Sequence, residues 1–116
     1  MKFEARTERI EGAAVVVFTG DLDIASESRA AEALEDAMAE GGVLVADLRE
    51  LGFLDSTGVR VLITADLRAR DRGVRFGVAR SDGMTRRLLE VTRLDQRFPV
   101  VDDPAELLPG GIRAAE

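Results

Sequence analysis

Cysteine and histidine are both missing from this chain of 116 residues, and so are tryptophan and tyrosine. Without cysteine there is no disulfide framework, no thiolate nucleophile and no zinc-thiolate site. Without histidine, every His-dependent catalytic triad, phosphohistidine relay and imidazole metal site is excluded. Any metal would have to rest on Asp and Glu, a donor set that suits hard ions only. Positive charge is short as well: 16 basic residues face 22 acidic ones, for a net charge of -6. That balance argues against nucleic acid, where affinity comes largely from neutralising phosphates, and against an anionic membrane surface. Lysine is nearly absent, with Lys2 the single one, which reads as a coding bias toward Arg rather than a functional signal. No apolar run reaches the roughly 18 residues of a membrane span. The opening residues Met1-Lys2-Phe3-Glu4-Ala5-Arg6 alternate and carry a negative charge, unlike a signal-peptide core. The expectation is a cytoplasmic protein whose partner is another protein or a small ligand.

Three catalytic or nucleotide-binding signatures are also missing. No glycine-rich loop ends in Lys-Ser or Lys-Thr, and no G-x-G-x-x-G follows a strand. Asp55-Ser56-Thr57-Gly58 lacks the first glycine of a nucleophile elbow, and no histidine could serve it as base. The expectation is a binding protein, not an enzyme, with no cofactor and no metal.

What is present is the composition of an ordinary folded domain, 46% hydrophobic and 33% charged. The length fits one domain, taken as residues 1–110, with 111–116 as a loose tail. Residues 3–9 alternate, Phe3, Ala5 and Thr7 against Glu4, Arg6 and Glu8, as a half-buried strand does. Glu11-Gly12 is a turn into residues 13–19, whose valines have high β propensity, so the two form a hairpin. From Ser26 to Glu40 the period becomes helical, with Ala30, Ala33, Leu34, Ala37 and Met38 inward. Ser26 or Ser28 can cap that helix and Gly41-Gly42 stops it. The run Val43-Leu44-Val45-Ala46 suits a strand covered on both faces. The spacing predicts a helix over 56–72 with Val59, Leu62, Ile63 and Leu67 inward, then a strand over 74–79. Asp82 caps a helix with Met84, Leu88 and Val91 inward. Residues 98–101 form a short edge strand, and Asp103-Pro104 opens a brief final helix. Strands alternating with helices imply right-handed parallel crossovers. The fold class is α/β: a mixed, mostly parallel sheet of four to five strands, an N-terminal β-hairpin and about four helices.

One segment stands out for function, residues 47–62, which pass from a buried strand through a loop into an amphipathic helix. Ser56 sits at the helix mouth, where the first backbone N–H groups lack partners inside the helix. Gly58 has no side chain to shield those donors, so an anion bound or attached there would meet the positive end of the helix dipole. The plainer reading is that Asp55 or Ser56 is an N-cap, worth about 1 kcal/mol. A cap alone leaves Gly58 unexplained, since glycine weakens a helix by about 1 kcal/mol. A second segment, Gly20-Asp21-Leu22-Asp23-Ile24-Ala25-Ser26, makes the corresponding strand-to-helix passage. In parallel sheets both loops leave the carboxyl ends of their strands, where partners dock. Asp21, Asp23 and Asp55 are therefore expected on one surface, although Asp23 reads equally well as a turn residue.

In these two motifs the sequence resembles the STAS domain family and, within it, the bacterial anti-sigma-factor antagonists. The resemblance is carried by Gly20-Asp21-Leu22-Asp23, the strand at 43–48 and Phe53-Leu54-Asp55-Ser56-Thr57-Gly58-Val59, and Phe98-Pro99-Val100 is also similar. It departs mildly at Asp21, where the family often has Glu, and at Ser28, where many members have a proline. The resemblance implies a STAS-like fold and a partner-switching cycle. Ser56 would be phosphorylated by an anti-sigma factor that is itself a serine kinase using ATP and Mg²⁺. The unphosphorylated form would bind that kinase and free the sigma factor, and a PP2C-type phosphatase would reset the protein. Asp21, Asp23, Asp55, Thr57, Gly58 and Arg60 would form the partner-binding surface, with Thr57 as an alternative acceptor hydroxyl. Other roles remain open on sequence: a constitutive STAS partner in a lipid-transport complex or stress-signalling scaffold, or a nucleotide sensor.

Overall fold

The computed structural model describes residues 2–10, 12–80 and 83–109. Asp82 as the expected cap, Glu11 of the expected turn and the expected tail from 111 lie outside them. Strands β1 (Glu4–Ile10), β2 (Ala13–Leu22), β3 (Val43–Leu54), β4 (Arg75–Ala79) and β5 (Val100–Val101) form one sheet in chain order. Only β1 is antiparallel to its neighbour; β2 through β5 run parallel. The helices α1 (Glu27–Ala37), α2 (Ser56–Asp71) and α3 (Met84–Val91) connect the parallel strands. Since successive crossovers are right-handed and the strand order never reverses, all three helices fall on one face of the sheet. The fourth expected helix is a single 3₁₀ turn at Pro104–Leu107, opened by the Asp103 capping box.

The helix-side core runs from Phe3, Phe18 and Leu34 through Leu44, Leu48 and Leu62 to Leu89 and Phe98. The opposite face carries Val15, Val17, Val43, Val45 and Ala79, packed by Val101, Leu107 and Leu108. This two-sided burial is why β2 and β3 read as unbroken apolar runs. On that second face Asp47, fully buried, takes two guanidinium bonds from Arg49, at 3.0 Å each. The hydrogen bond that Arg49 donates to Asp47, opposed in part by burial, raises the Arg49 pKa above its ordinary value.

Four local expectations change. Strand β1 is exposed along its whole length, because it is the sheet edge and the first helix packs over β2 and β3 as well; only Phe3, just before it, reaches the core. Strand β3 is 12 residues long and absorbs residues 49–54, expected as a loop. It does so by pairing with an equally extended β2 across two register shifts, each adding one residue to β3. In α2 Val59, Val61, Leu62, Ala65 and Ala69 face the core, with Ile63 packed against it and Asp66 also buried, whereas Leu67 is 51% exposed. In α3 Thr85 and Leu89 are buried and Leu88 packs against the core, whereas Val91 is 71% exposed. In both helices the apolar pattern is broad enough to fit two rotations, and contact with the neighbouring elements selects one.

Candidate functional site

The carboxyl ends of β2 and β3 bring the two singled-out segments together. Leu22 lies opposite Leu54 in the parallel ladder, and Asp21 opposite Phe53. Strands in a sheet run about 4.8 Å apart, so Asp23 and Asp55, each one residue further on, leave the sheet side by side. The β2 side is fixed by two devices. Gly20 adopts φ +84°, and a Cβ there would fall 2.1 Å from the Lys2 carbonyl oxygen, so only glycine lets the entering chain pass. Beyond it, Ser26 is buried: its Oγ donates to the Asp21 carbonyl at 2.7 Å and accepts from the Asp23 N–H at 3.0 Å. Ser26 thus clamps the loop and makes no side-chain cap for α1. The Asp23 carboxylate accepts from the Ala25 N–H at 3.0 Å, which makes it a turn residue.

On the β3 side there is no loop beyond a single residue. Asp55 is the N-cap of α2, its Oδ1 accepting from the Thr57 N–H at 2.9 Å and the Gly58 N–H at 3.2 Å. The backbone donors expected to await an anion are therefore already occupied by Asp55. Gly58 has a different cause: it is buried, and a Cβ would come 2.2 Å from Leu54 Cδ1 and 3.1 Å from both Leu22 Cγ and the Leu22 carbonyl oxygen. Its missing side chain lets the first turn of α2 rest on the strand ends. That close seat holds Ser56 in a fixed position at the rim.

Ser56 itself is exposed, while Thr57 beside it is buried. Asp21, Asp23 and Asp55 are half-buried around it. Arg60 lies one turn further along α2, exposed, its guanidinium 3.8 Å from Glu27 of α1. Two residues on the same rim escape a reading of charges alone. Ile24 is 78% exposed in the β2–α1 connection, and Phe53 is 44% exposed at the end of β3. Both add exposed apolar area to the rim that the two acidic motifs share. The available signal was the placement of Ile24 between Asp23 and Ala25, inside the motif rather than in a core-forming run. Thr57 and Gly58 lie beneath this surface and shape it from below. Among the described residues no group of three or more carboxylates is arranged to hold a metal ion, and no helix is long and apolar enough to cross a membrane.

The family model of the STAS domain matches residues 4–107. The anti-sigma-F factor antagonist RsfB of Mycobacterium tuberculosis is 29% identical over 100 residues, which cover 85% of this chain and 81% of that protein. The crystal structure of an anti-sigma factor antagonist from Mycobacterium paratuberculosis superposes with a TM-score of 0.82 at 26% identity, covering 97% of this chain and 93% of that one. SpoIIAA of Bacillus in its phosphorylated form shares the fold, with a TM-score of 0.65 at 14% identity over 99% of this chain and 100% of that one.

Proposed function

The chain belongs to the STAS domain family, and from that premise and the rim around Ser56 we propose that it is an anti-sigma-factor antagonist switched by phosphorylation of Ser56. The observation that carries the reading is one exposed hydroxyl at the start of α2, at the same strand ends that carry the exposed Ile24 and Phe53 and the half-buried Asp21, Asp23 and Asp55. Unmodified, this rim docks on an anti-sigma factor, which thereby releases its sigma factor. Modified, it does not. The anti-sigma factor is a serine kinase that transfers the γ-phosphoryl group of ATP to Ser56 Oγ, with ADP leaving and the hydroxyl proton passing to solvent or a kinase base. A PP2C-type phosphatase hydrolyses the ester and restores the docking form. The names of the similar mycobacterial proteins support the antagonist role, and the existence of a phosphorylated SpoIIAA supports the modification. Burial of Thr57 favours Ser56 as the acceptor.

Magnitudes explain how one group separates binding from folding. A phosphoserine adds about -1.5 to -2 charges. Toward Asp55 at about 6 Å in a water-like dielectric, each unit of charge costs roughly 0.7 kcal/mol, less with salt. The fold tolerates that. Docking would strip water from the same phosphate against Ile24 and Phe53, and an unpaired buried charge costs several kcal/mol. Since about 1.4 kcal/mol is tenfold in affinity, binding falls by a factor of a hundred or more while the domain stays folded.

The test uses the purified chain with an ATP-dependent anti-sigma serine kinase. Radiolabelled ATP should mark the wild-type chain and Thr57→Ser but not Ser56→Ala. Calorimetry should show Ser56→Asp binding the kinase at least tenfold more weakly than wild type. Equal labelling of Ser56→Ala, or undiminished affinity of Ser56→Asp, would refute the switch.

A further inference from the structure

Among the described residues strand β1 has no partner along its outer edge, and we infer that it pairs with β1 of a second copy of this chain, antiparallel and centred on Thr7, to join two sheets into one. The order of the described strands gives β1 a single neighbour, and all seven of its residues are exposed. Its side chains divide cleanly between the two faces. Arg6 lies opposite Val17 and Glu8 opposite Val15 in the hairpin, so Glu4, Arg6, Glu8 and Ile10 stand on the face without helices. Ala5, Thr7 and Arg9 stand on the helix side, Arg9 paired with Glu40 at 3.6 Å. Beside the small Ala5 and Thr7 an open groove of about 620 Å³ lies between β1 and α1. No helix of a second copy would need to enter the space directly above the strand.

Charge selects the register. A two-fold axis normal to the sheet keeps both helix layers on one side, which requires even-numbered residues to face even-numbered ones. Centring that axis on Thr7 sets Arg6 opposite Glu8 of the second copy, and Glu8 opposite its Arg6. Within each strand Arg6 Nε already lies 3.4 Å from Glu8 Oε2. The four side chains then form a square with opposite charges along every side and like charges only across the diagonals. Moving the centre to Arg6 sets Arg6 against Arg6 and Glu4 against Glu8; moving it to Glu8 sets Glu8 against Glu8. Like charges directly opposite are destabilising, and opposite ones stabilising, in antiparallel pairs. At the centre Thr7 meets Thr7, a pair that strands accommodate well. A charged edge ordinarily repels other strands, and this one repels all but its own copy in one register. Ser56 sits two strands away at the end of β3, so the inference is independent of the switch. One strand pair buries less than the roughly 1,200 Å² of a standard interface, and the dimer is accordingly weak.

Sedimentation velocity of the full chain at low salt, from micromolar to millimolar concentration, tests this. Wild type should move from monomer toward dimer, and added salt should reverse the shift. Arg6→Glu and Glu8→Arg should each weaken association by about tenfold. The double variant Arg6→Glu/Glu8→Arg rebuilds the square with signs exchanged and should recover it, a rescue that damage to the monomer fold could not produce. A wild-type chain monomeric throughout the range, or a dimer indifferent to Arg6→Glu, overturns the inference.

Discussion

Replacing Gly58 with alanine separates two explanations of that glycine by the sign of the result. If Gly58 served only to leave backbone donors open, alanine would be the better helix residue and would stabilise the protein by up to about 1 kcal/mol. The packing account points the other way. The new Cβ would lie 2.2 Å from Leu54 Cδ1, well inside contact distance, and 3.1 Å from Leu22 Cγ and the Leu22 carbonyl. The two longer contacts need shifts of a few tenths of an ångström, one of them by the Leu22 backbone carbonyl in its ladder with β3. The short one requires the buried end of the Leu54 side chain to leave its rotamer. A contact of 2.2 Å lies at the upper end of overpacking costs, about 2–3 kcal/mol, and after a helix gain of about 1 kcal/mol the net loss is about 1–2 kcal/mol. For a chain of 116 residues that corresponds to a drop in Tm of about 4–8 °C. Urea unfolding followed by circular dichroism reads the change directly. Leu54→Val removes the atom struck, so Gly58→Ala combined with it should cost clearly less than the two changes added. An alanine variant as stable as wild type, or more so, refutes the packing argument.

Other changes probe the same surface and its support. Asp55→Ala removes the acceptor of two backbone N–H groups and should cost about 1–2 kcal/mol in urea unfolding, whereas Asp55→Asn keeps an oxygen cap and should lose under half as much. Ser26→Ala leaves the Asp21 carbonyl and Asp23 N–H without their buried partner. A loss of about 1–3 kcal/mol is expected, with faster amide exchange at Asp23, and protection unchanged there would contradict the clamp. Arg49→Ala removes both guanidinium bonds to the buried Asp47 carboxylate, which keeps the backbone N–H of residue 49, and should cost about 2 kcal/mol at neutral pH, below the value for a fully buried pair because the guanidinium is half-exposed. The raised Arg49 pKa makes its contribution complete at every pH below the ordinary arginine value, fading only as pH climbs through the raised one. The stability difference between wild type and Arg49→Ala should therefore show no step from Arg49 itself between pH 6 and 9.

Local chemistry along the chain was enough for the order of elements, the hairpin, the parallel core strands and the place of Ser56. Those features depend on periodicity and on turn and cap residues, which act within a few positions of one another: Asp103-Pro104 and Gly41-Gly42 mean the same thing in any fold. The tertiary structure alone decided four others. Strand β3 extends to Leu54 because β2 is there to pair with it, and Gly58 is required because Leu22 and Leu54 occupy the space beside it. Ser26 became a clamp instead of a cap since the Asp21 carbonyl lies within reach of its hydroxyl. Leu67 and Val91 turn outward because a helix with a wide apolar arc is oriented by its neighbours, and neighbours distant in sequence leave no trace in a local pattern.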